Sequence, residues 1–336
     1  MEKLNLCLFL SLDQVHLNAP DELAQKYQGV YKNILSFYFK NPDSKLSLFL
    51  SGPILSWISK YHPEATTLIS KLLKTQIEIV GGGYYNPAFP LIFPADRTGQ
   101  IEFLTTDLRQ EFGKRPRGIT LFKSIWDSSL ITSFQSCGME YVFLDSDVAS
   151  EYKNYYLPLV MSEQGKALKS LLYYDDFVPD ANVSPKDFLN NLYETVKSRT
   201  ENDEFSDKTS AECDERFLAI KLDDKTFSSL FSSGWLENFY ATVKNDFSDK
   251  IALTLPLEFL RKSPDFYSAY VHSGIKSAKK YTTIQDFLIK NPKNKQLYER
   301  MLYIEILLSQ CKGDKARQKY GKRTLMGCTK RGIIFL

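Results

Sequence analysis

Short apolar runs alternate with longer stretches of helical periodicity along most of this chain. Leu4 to Leu12 reads as a buried strand, and Pro20-Asp21 then opens a helix. In that helix Leu23, Tyr27, Val30, Tyr31, Ile34, Leu35 and Tyr38 recur at i, i+3, i+4, i+7 spacing until Asn41-Pro42 ends it. Leu46 to Leu50 is a second strand, stopped by Ser51-Gly52-Pro53. Ile54 to Lys74 reads as helix in two pieces broken at His62-Pro63, and Ile77 to Val80 as a third strand ending in Gly81-Gly82-Gly83. The alternation continues with helix from Asp96 to Gly113, strand from Gly118 to Phe122 and helix from Ser128 to Cys137. Strands follow at Tyr141 to Leu144 and at Leu171 to Tyr174, then a helix from Pro185 to Ser198 and a last strand from Phe217 to Leu222.

Seven strands alternating with helices favour an α/β chain, a seven-stranded (β/α) barrel, over a sandwich. The barrel is expected over residues 1–262. Glu201 to Glu215 is polar, acidic and poor in large apolar residues, which predicts a surface loop. Beyond residue 262 the pattern turns helical, with Leu297, Met301, Ile304 and Leu308 on one face, so 263–312 is expected to form a helical subdomain. Residues 313–336 read as a basic tail: Lys312 to Arg331 holds eight Lys or Arg against one Asp. A solvated tail is the commoner use of such a run, and no nucleic-acid partner is expected.

Composition adds limits to this picture. The chain has 336 residues, 43% hydrophobic and 25% charged, enough to bury a real core. A net charge of +3 argues for no polyanionic partner. The 20 Tyr and 23 Phe suit ring-packed cores first and a sugar groove second. Five widely spaced Cys with no CxxC pair suit free thiols in a reducing compartment. No signal-peptide pattern and no run of about 20 apolar residues is present, so a cytoplasmic chain without a membrane partner is expected.

Several segments, in order, resemble glycoside hydrolase family 57. Leu50-Ser51-Gly52-Pro53-Ile54-Leu55-Ser56-Trp57-Ile58 is similar to that family's Ser-Gly-Pro-Leu-Leu-Glu-Trp segment. Gln76 to Gly82 with Tyr84-Tyr85-Asn86-Pro87 resembles its third block, and Pro94-Ala95-Asp96-Arg97 with Gln100-Ile101 resembles the helix start that follows. Gly118 to Asp127 is similar to the strand that ends in Thr-Glu-Arg-Val-Trp-Glu. The resemblance implies a seven-stranded barrel with helical additions, of the α-amylase and 4-α-glucanotransferase type, acting on α-glucans. No cofactor is expected.

The same resemblance marks departures. Where the family has its nucleophilic Glu, this chain has Lys123. The acid/base motif, Asp-Gly-Glu-Lys-Phe-Gly, aligns with Asp223-Asp224-Lys225-Thr226-Phe227-Ser228, which keeps Asp223 and replaces the following Glu by Lys225. The opening His-Gln-Pro-x-Gly-Asn becomes Asp13-Gln14-Val15-His16-Leu17-Asn18, and the pocket Glu of the third block becomes Asn86. Lys123 and Asp223 are therefore the candidate catalytic positions, with Asp13, His16, Asn86 and Trp126 as candidate substrate contacts.

A retaining glycosidase needs two carboxyl groups about 5–5.5 Å apart, one attacking and one moving the proton. An ammonium at the nucleophile position places positive charge beside a developing oxocarbenium, the wrong sign. The reading that follows is a family member without retaining glycosidase activity that keeps α-glucan or maltooligosaccharide binding. The alternatives are an active α-amylase or 4-α-glucanotransferase-type enzyme with a relocated nucleophile, drawn from Asp127, Asp145 and Asp175, and a non-enzymatic interaction protein. His16, His62 and His272 lie far apart with no metal-binding spacing, so no metal site is expected. Gly81-Gly82-Gly83 lacks a GK[ST] ending and reads as a close-packed turn beside the pocket.

Overall fold

The computed structural model describes residues 3–13, 20–201, 215–262, 266–276, 283–310, 320–321 and 324–325. Seven strands run parallel in chain order: β1 (Lys3–Leu12), β2 (Leu46–Leu50), β3 (Ile77–Val80), β4 (Gly118–Thr120), β5 (Tyr141–Asp145), β6 (Lys166–Tyr173) and β7 (Glu215–Leu222). They are the seven segments that the apolar runs predict. Ladders join β1 to β2 and β2 to β3, β4 to β5, β5 to β6, and β7 back to β1. Two joints are thin. The β3–β4 joint is the single bridge Gly81–Ile119, made by Gly81 N–H to Gly118 O (2.8 Å) and Thr120 N–H to Gly81 O (2.9 Å). The β6–β7 joint is the one pair Tyr173–Ala219. With these bonds the strands complete a circle, the (β/α)7 architecture.

Local sequence explains why the elements stop where they do. The helix Pro94–Phe112 begins with Pro at its first turn and ends at Gly113, whose φ of 66° lets its N–H return to Arg109 O. Ile101, Leu104, Leu108 and Phe112 give that helix its buried stripe. His62-Pro63 separates the helices Gly52–Tyr61 and Pro63–Leu72, as a Pro that cannot continue the ladder requires. In the glycine turn after β3, a Cβ on Gly82 would sit 2.5 Å from the Phe49 ring. That turn is packed tightly against β2.

The barrel interior is filled by layers of side chains. Low in the barrel, the Tyr141 hydroxyl donates to Glu78 (2.7 Å), which also accepts from Leu257 N–H (2.9 Å). Above it Phe9 stacks on Phe143 with centroids 4.5 Å apart, and Tyr141 meets Phe143 edge-on. Each such ring pair contributes about 0.5–1.5 kcal/mol beyond area burial.

Three features depart from the sequence reading. β6 starts at Lys166, five residues earlier than expected, because Leu159–Glu163 folds back on it as an antiparallel partner. Ile251–Leu253 adds parallel to β1. The third concerns the expected helical subdomain at 263–312. Tyr267–Ser268 pairs with Leu159–Val160, and Ser273–Gly274 pairs with Trp126–Asp127, so 266–276 is extended and tied to the barrel. Helices begin only at Ile284–Lys290 and continue as Pro292–Gln310. Most of the expected loop at 201–215, and the basic tail at 313–336 apart from 320–321 and 324–325, lie outside the described residues. No helix among the described residues is long and apolar enough to cross a membrane.

Candidate functional site at the mouth of the barrel

The C-terminal ends of parallel barrel strands present side chains at one rim, where backbone rigidity fixes their direction. Here the rim is charged. Asp13 follows β1, Asp145 closes β5, Asp175 lies two residues past β6, and Asp223 follows β7. Side chains alternate along a strand, so Ser11 with Asp13, Tyr173 with Asp175, and Lys221 with Asp223 each share a face. All six line one cleft of about 420 Å³, together with Asn86, Lys123 and Lys276.

Backbone strain is concentrated at this rim. Asn86, Lys123 and Ser124 have φ of 47°, 46° and 49°, left-handed values that cost a side-chain-bearing residue of order 1 kcal/mol each. The surroundings hold these turns in place. Asn86 Nδ2 donates to Asp13 Oδ2 at 2.7 Å. The Ser124 hydroxyl lies 2.7 Å from the Tyr173 hydroxyl and accepts from Asp145 N–H at 3.1 Å. Lys123 is thereby turned out from the end of β4 into the cleft, with Nζ 5.8 Å from the Phe122 ring centroid. Partial burial pulls its ammonium below the ordinary lysine value.

Asp223 is engaged with its own helix. Its Oδ1 accepts Thr226 N–H at 2.8 Å, making it the N-cap of the helix Asp224–Ser232. The neighbouring Asp224 forms an ion pair with Lys26 at 3.0 Å. The third cation is Lys276, whose Nζ lies 2.6 Å from Asp145 Oδ2 and also pairs with Asp175. Asp145 is fully buried, and burial pushes its carboxyl above the usual value while Lys276 and the Asp147 N–H oppose the shift. Burial pulls Lys276 down, but its two carboxylate partners outweigh this and leave it raised.

Of the residues singled out from sequence, Lys123, Asp223, Asp13 and Asn86 come together at this cleft. His16 lies outside the described residues. Trp126 is a correction to the sequence reading: it is 1% exposed, its indole N–H donates to Val271 O at 2.7 Å, and its ring lies beside Phe134. The strand pair Trp126–Asp127 with Ser273–Gly274 turns it into the core, so it is not a sugar platform. Asp127 sits on that same pair and caps Ser129 N–H, apart from the cleft lining. Asp175 does line the cleft, beside Lys276.

Two residues of the site went unnoticed in the sequence. Lys221 was legible in principle, being two residues before Asp223 on the same strand face. Lys276 had no local signal, since it reaches the rim from 131 residues beyond Asp145, as the numbering itself shows. Among the described residues, no group of three His, Cys, Asp or Glu is placed to hold a metal ion.

A family model described as glycosyl hydrolase family 57 matches residues 9–272, from the middle of β1 to the extended segment beside the rim. The chain belongs to glycosyl hydrolase family 57. It is similar to alpha-amylase 1 of Dictyoglomus thermophilum, 28% identical over 244 residues, which covers 67% of this chain and 33% of that protein. It is 25% identical over 273 residues to the 4-alpha-glucanotransferase of Thermococcus litoralis, covering 78% of this chain and 39% of the relative. The crystal structure of the Thermococcus litoralis 4-alpha-glucanotransferase superposes with a TM-score of 0.79 at 20% identity, over 97% of this chain and 55% of that one. That likeness fixes the family 57 barrel fold. The chain spans about a third of the length of the curated relatives it matches.

Proposed function

We propose that this family 57 chain binds α-glucan in the mouth of its barrel and does not carry out retaining glycoside hydrolysis. The observation that carries the reading is Lys123: the group turned into the cleft from the end of β4 is an ammonium. Retaining hydrolysis needs an anion there to attack the anomeric carbon, and a cation opposes the oxocarbenium-like charge that develops. Asn86, at the family's pocket-Glu position, spends one amide hydrogen on Asp13, which supports a binding role over an acid/base role. The names of the relatives, alpha-amylase and 4-alpha-glucanotransferase, supply the ligand class.

Maltoheptaose titration by calorimetry, run beside a reducing-sugar and transfer-product assay, tests the reading. Saturable binding without turnover is expected, with binding weakened in Asn86→Ala. Turnover that disappears in Asp223→Ala would overturn it in favour of an active enzyme using another carboxylate. Neither binding nor turnover would leave a non-enzymatic interaction protein.

A further inference from the structure

A smaller pocket, of about 140 Å³, opens between the segment that follows β5 and the extended segment 266–276. Val148 to Tyr152 forms one wall and Tyr270 to Ser273 the other. The walls are fixed to each other and to the barrel. A Cβ on Gly274 would sit 2.7 Å from Val148, and the Tyr152 hydroxyl accepts Tyr270 N–H at 3.1 Å. Trp126 Nε1 donates to Val271 O, and Ser128 N–H to His272 O, both at 2.7 Å. Ser273 is three residues from Lys276 and Val148 three from Asp145, so each wall starts within about 10 Å of that rim pair.

Successive side chains of an extended segment face opposite ways. Val271 is buried, while Tyr270, 61% exposed, and His272 face outward. Their rings are inclined at 21° with centroids 6.1 Å apart, and the Tyr270 hydroxyl lies 3.3 Å from His272 Nδ1. The opposite wall presents the Ser150 hydroxyl and the Glu151 carboxylate, both exposed. Neither has a side-chain hydrogen-bond partner among the described residues. An aromatic face beside a carboxylate, a hydroxyl and an imidazole, in a space the size of one pyranose ring, suits a neutral sugar. Its C–H face packs on the ring and its hydroxyls donate to Glu151 and His272. An anion would meet the Glu151 carboxylate, and a purely apolar ligand would strip water from it.

We propose that this pocket is an accessory subsite, holding one glucose unit of an α-glucan whose other units occupy the barrel mouth. The inference rests on the glucan reading of the mouth and extends it outward. Both walls run directly from the Lys276–Asp145 pair, so a single oligosaccharide reaches both places. A short oligosaccharide that fills only the mouth gains nothing from the pocket, and a longer one gains the Tyr270 face. The subsite therefore selects for chain length.

Calorimetric titration of the intact chain with maltotriose and with maltoheptaose tests this. In Tyr270→Ala the maltoheptaose affinity is expected to fall about tenfold, as about 50 Å² of ring face left uncovered requires, with maltotriose unchanged. Tyr270 holds Tyr152 through its backbone N–H, so the variant keeps that anchor. Asn86→Ala, in the mouth, should weaken both sugars. On the wild-type chain maltoheptaose should protect Tyr270 from nitration by tetranitromethane, and maltotriose should not. Equal losses for both sugars in Tyr270→Ala, or neither loss nor protection, would overturn the subsite. A maltoheptaose loss in Tyr270→Ala beside unchanged binding in Asn86→Ala would overturn the mouth reading and leave the subsite standing. A wild-type chain that binds neither sugar would overturn both.

Discussion

Lys276 Nζ lies 2.6 Å from Oδ2 of Asp145, a carboxylate that is fully buried at the end of the fifth barrel strand. The pair connects the extended segment 266–276 to the barrel rim, and through Asp175 it holds two strand ends together. Stability and site geometry therefore depend on the same contact.

Removing the cation should expose that dependence. Lys276→Met leaves Asp145 buried beside no countercharge, a change that costs 3–5 kcal/mol for a fully buried pair. Lys276 is one-third exposed, so about 2 kcal/mol is expected. Asp145 is already displaced upward by burial, so a carboxyl that ionises late in the fold loses stability as pH rises through its native titration. Denaturation of Lys276→Met by urea should show a larger deficit at pH 7 than at pH 4.5, and adding Asp145→Asn should recover part of it. An equal deficit at both values would count against the pair.

Glu78 offers a second pH test at the other end of the barrel. Burial raises its carboxyl from 4.5 to about 7, against opposition from the Leu257 N–H, the Tyr141 hydroxyl and Arg261. Between those values the folded chain holds a proton that the unfolded chain has lost. The stabilisation is full below pH 4.5 and is lost as pH rises to 7. The carboxyl borders a basal groove and is partly open to solvent, so the effect is about 1–3 kcal/mol. Glu78→Gln should therefore gain melting temperature over wild type at pH 8 relative to pH 5, as read by calorimetry.

Asp223 has a structural role that can be measured apart from any chemistry. As the N-cap of Asp224–Ser232, its replacement by Ala should cost about 1 kcal/mol, and replacement by Ser or Asn only a few tenths. Equal losses for Ala and Asn in a chemical melt would contradict the cap.

Gly82 tests the packing of the turn beside the cleft. A Cβ there meets the Phe49 ring at 2.5 Å, and Phe49 is fully buried. Gly82→Ala should cost about 1–3 kcal/mol through overpacking, recoverable in part by Phe49→Leu. A neutral Gly82→Ala would show that the turn can move.

The positions of the seven strands were legible from sequence because each is a short apolar run closed by a polar or glycine-containing segment. Burial on both faces of a parallel sheet demands that pattern. The rim positions Asp13, Asn86, Lys123 and Asp223 were legible too, through the family motifs they align with, and the fold brings all four to one cleft. Sequence also carried the family, through motifs spread in order along the chain.

Tertiary structure alone decided which side chains face which. Trp126 looked the same in sequence whether it lined a pocket or the core, and a strand pair with Ser273–Gly274, distant in the chain, sent it inward. Lys276 belongs to the site only because that same distant segment returns to the rim. Lys221 and Lys276 are equivalent as letters and both lie over the Tyr173 ring, and only the fold gives Lys276 two carboxylate partners as well. Local periodicity encodes where strands begin and end. The charge environment of a lysine is set by neighbours brought from elsewhere in the chain, and no local pattern records them.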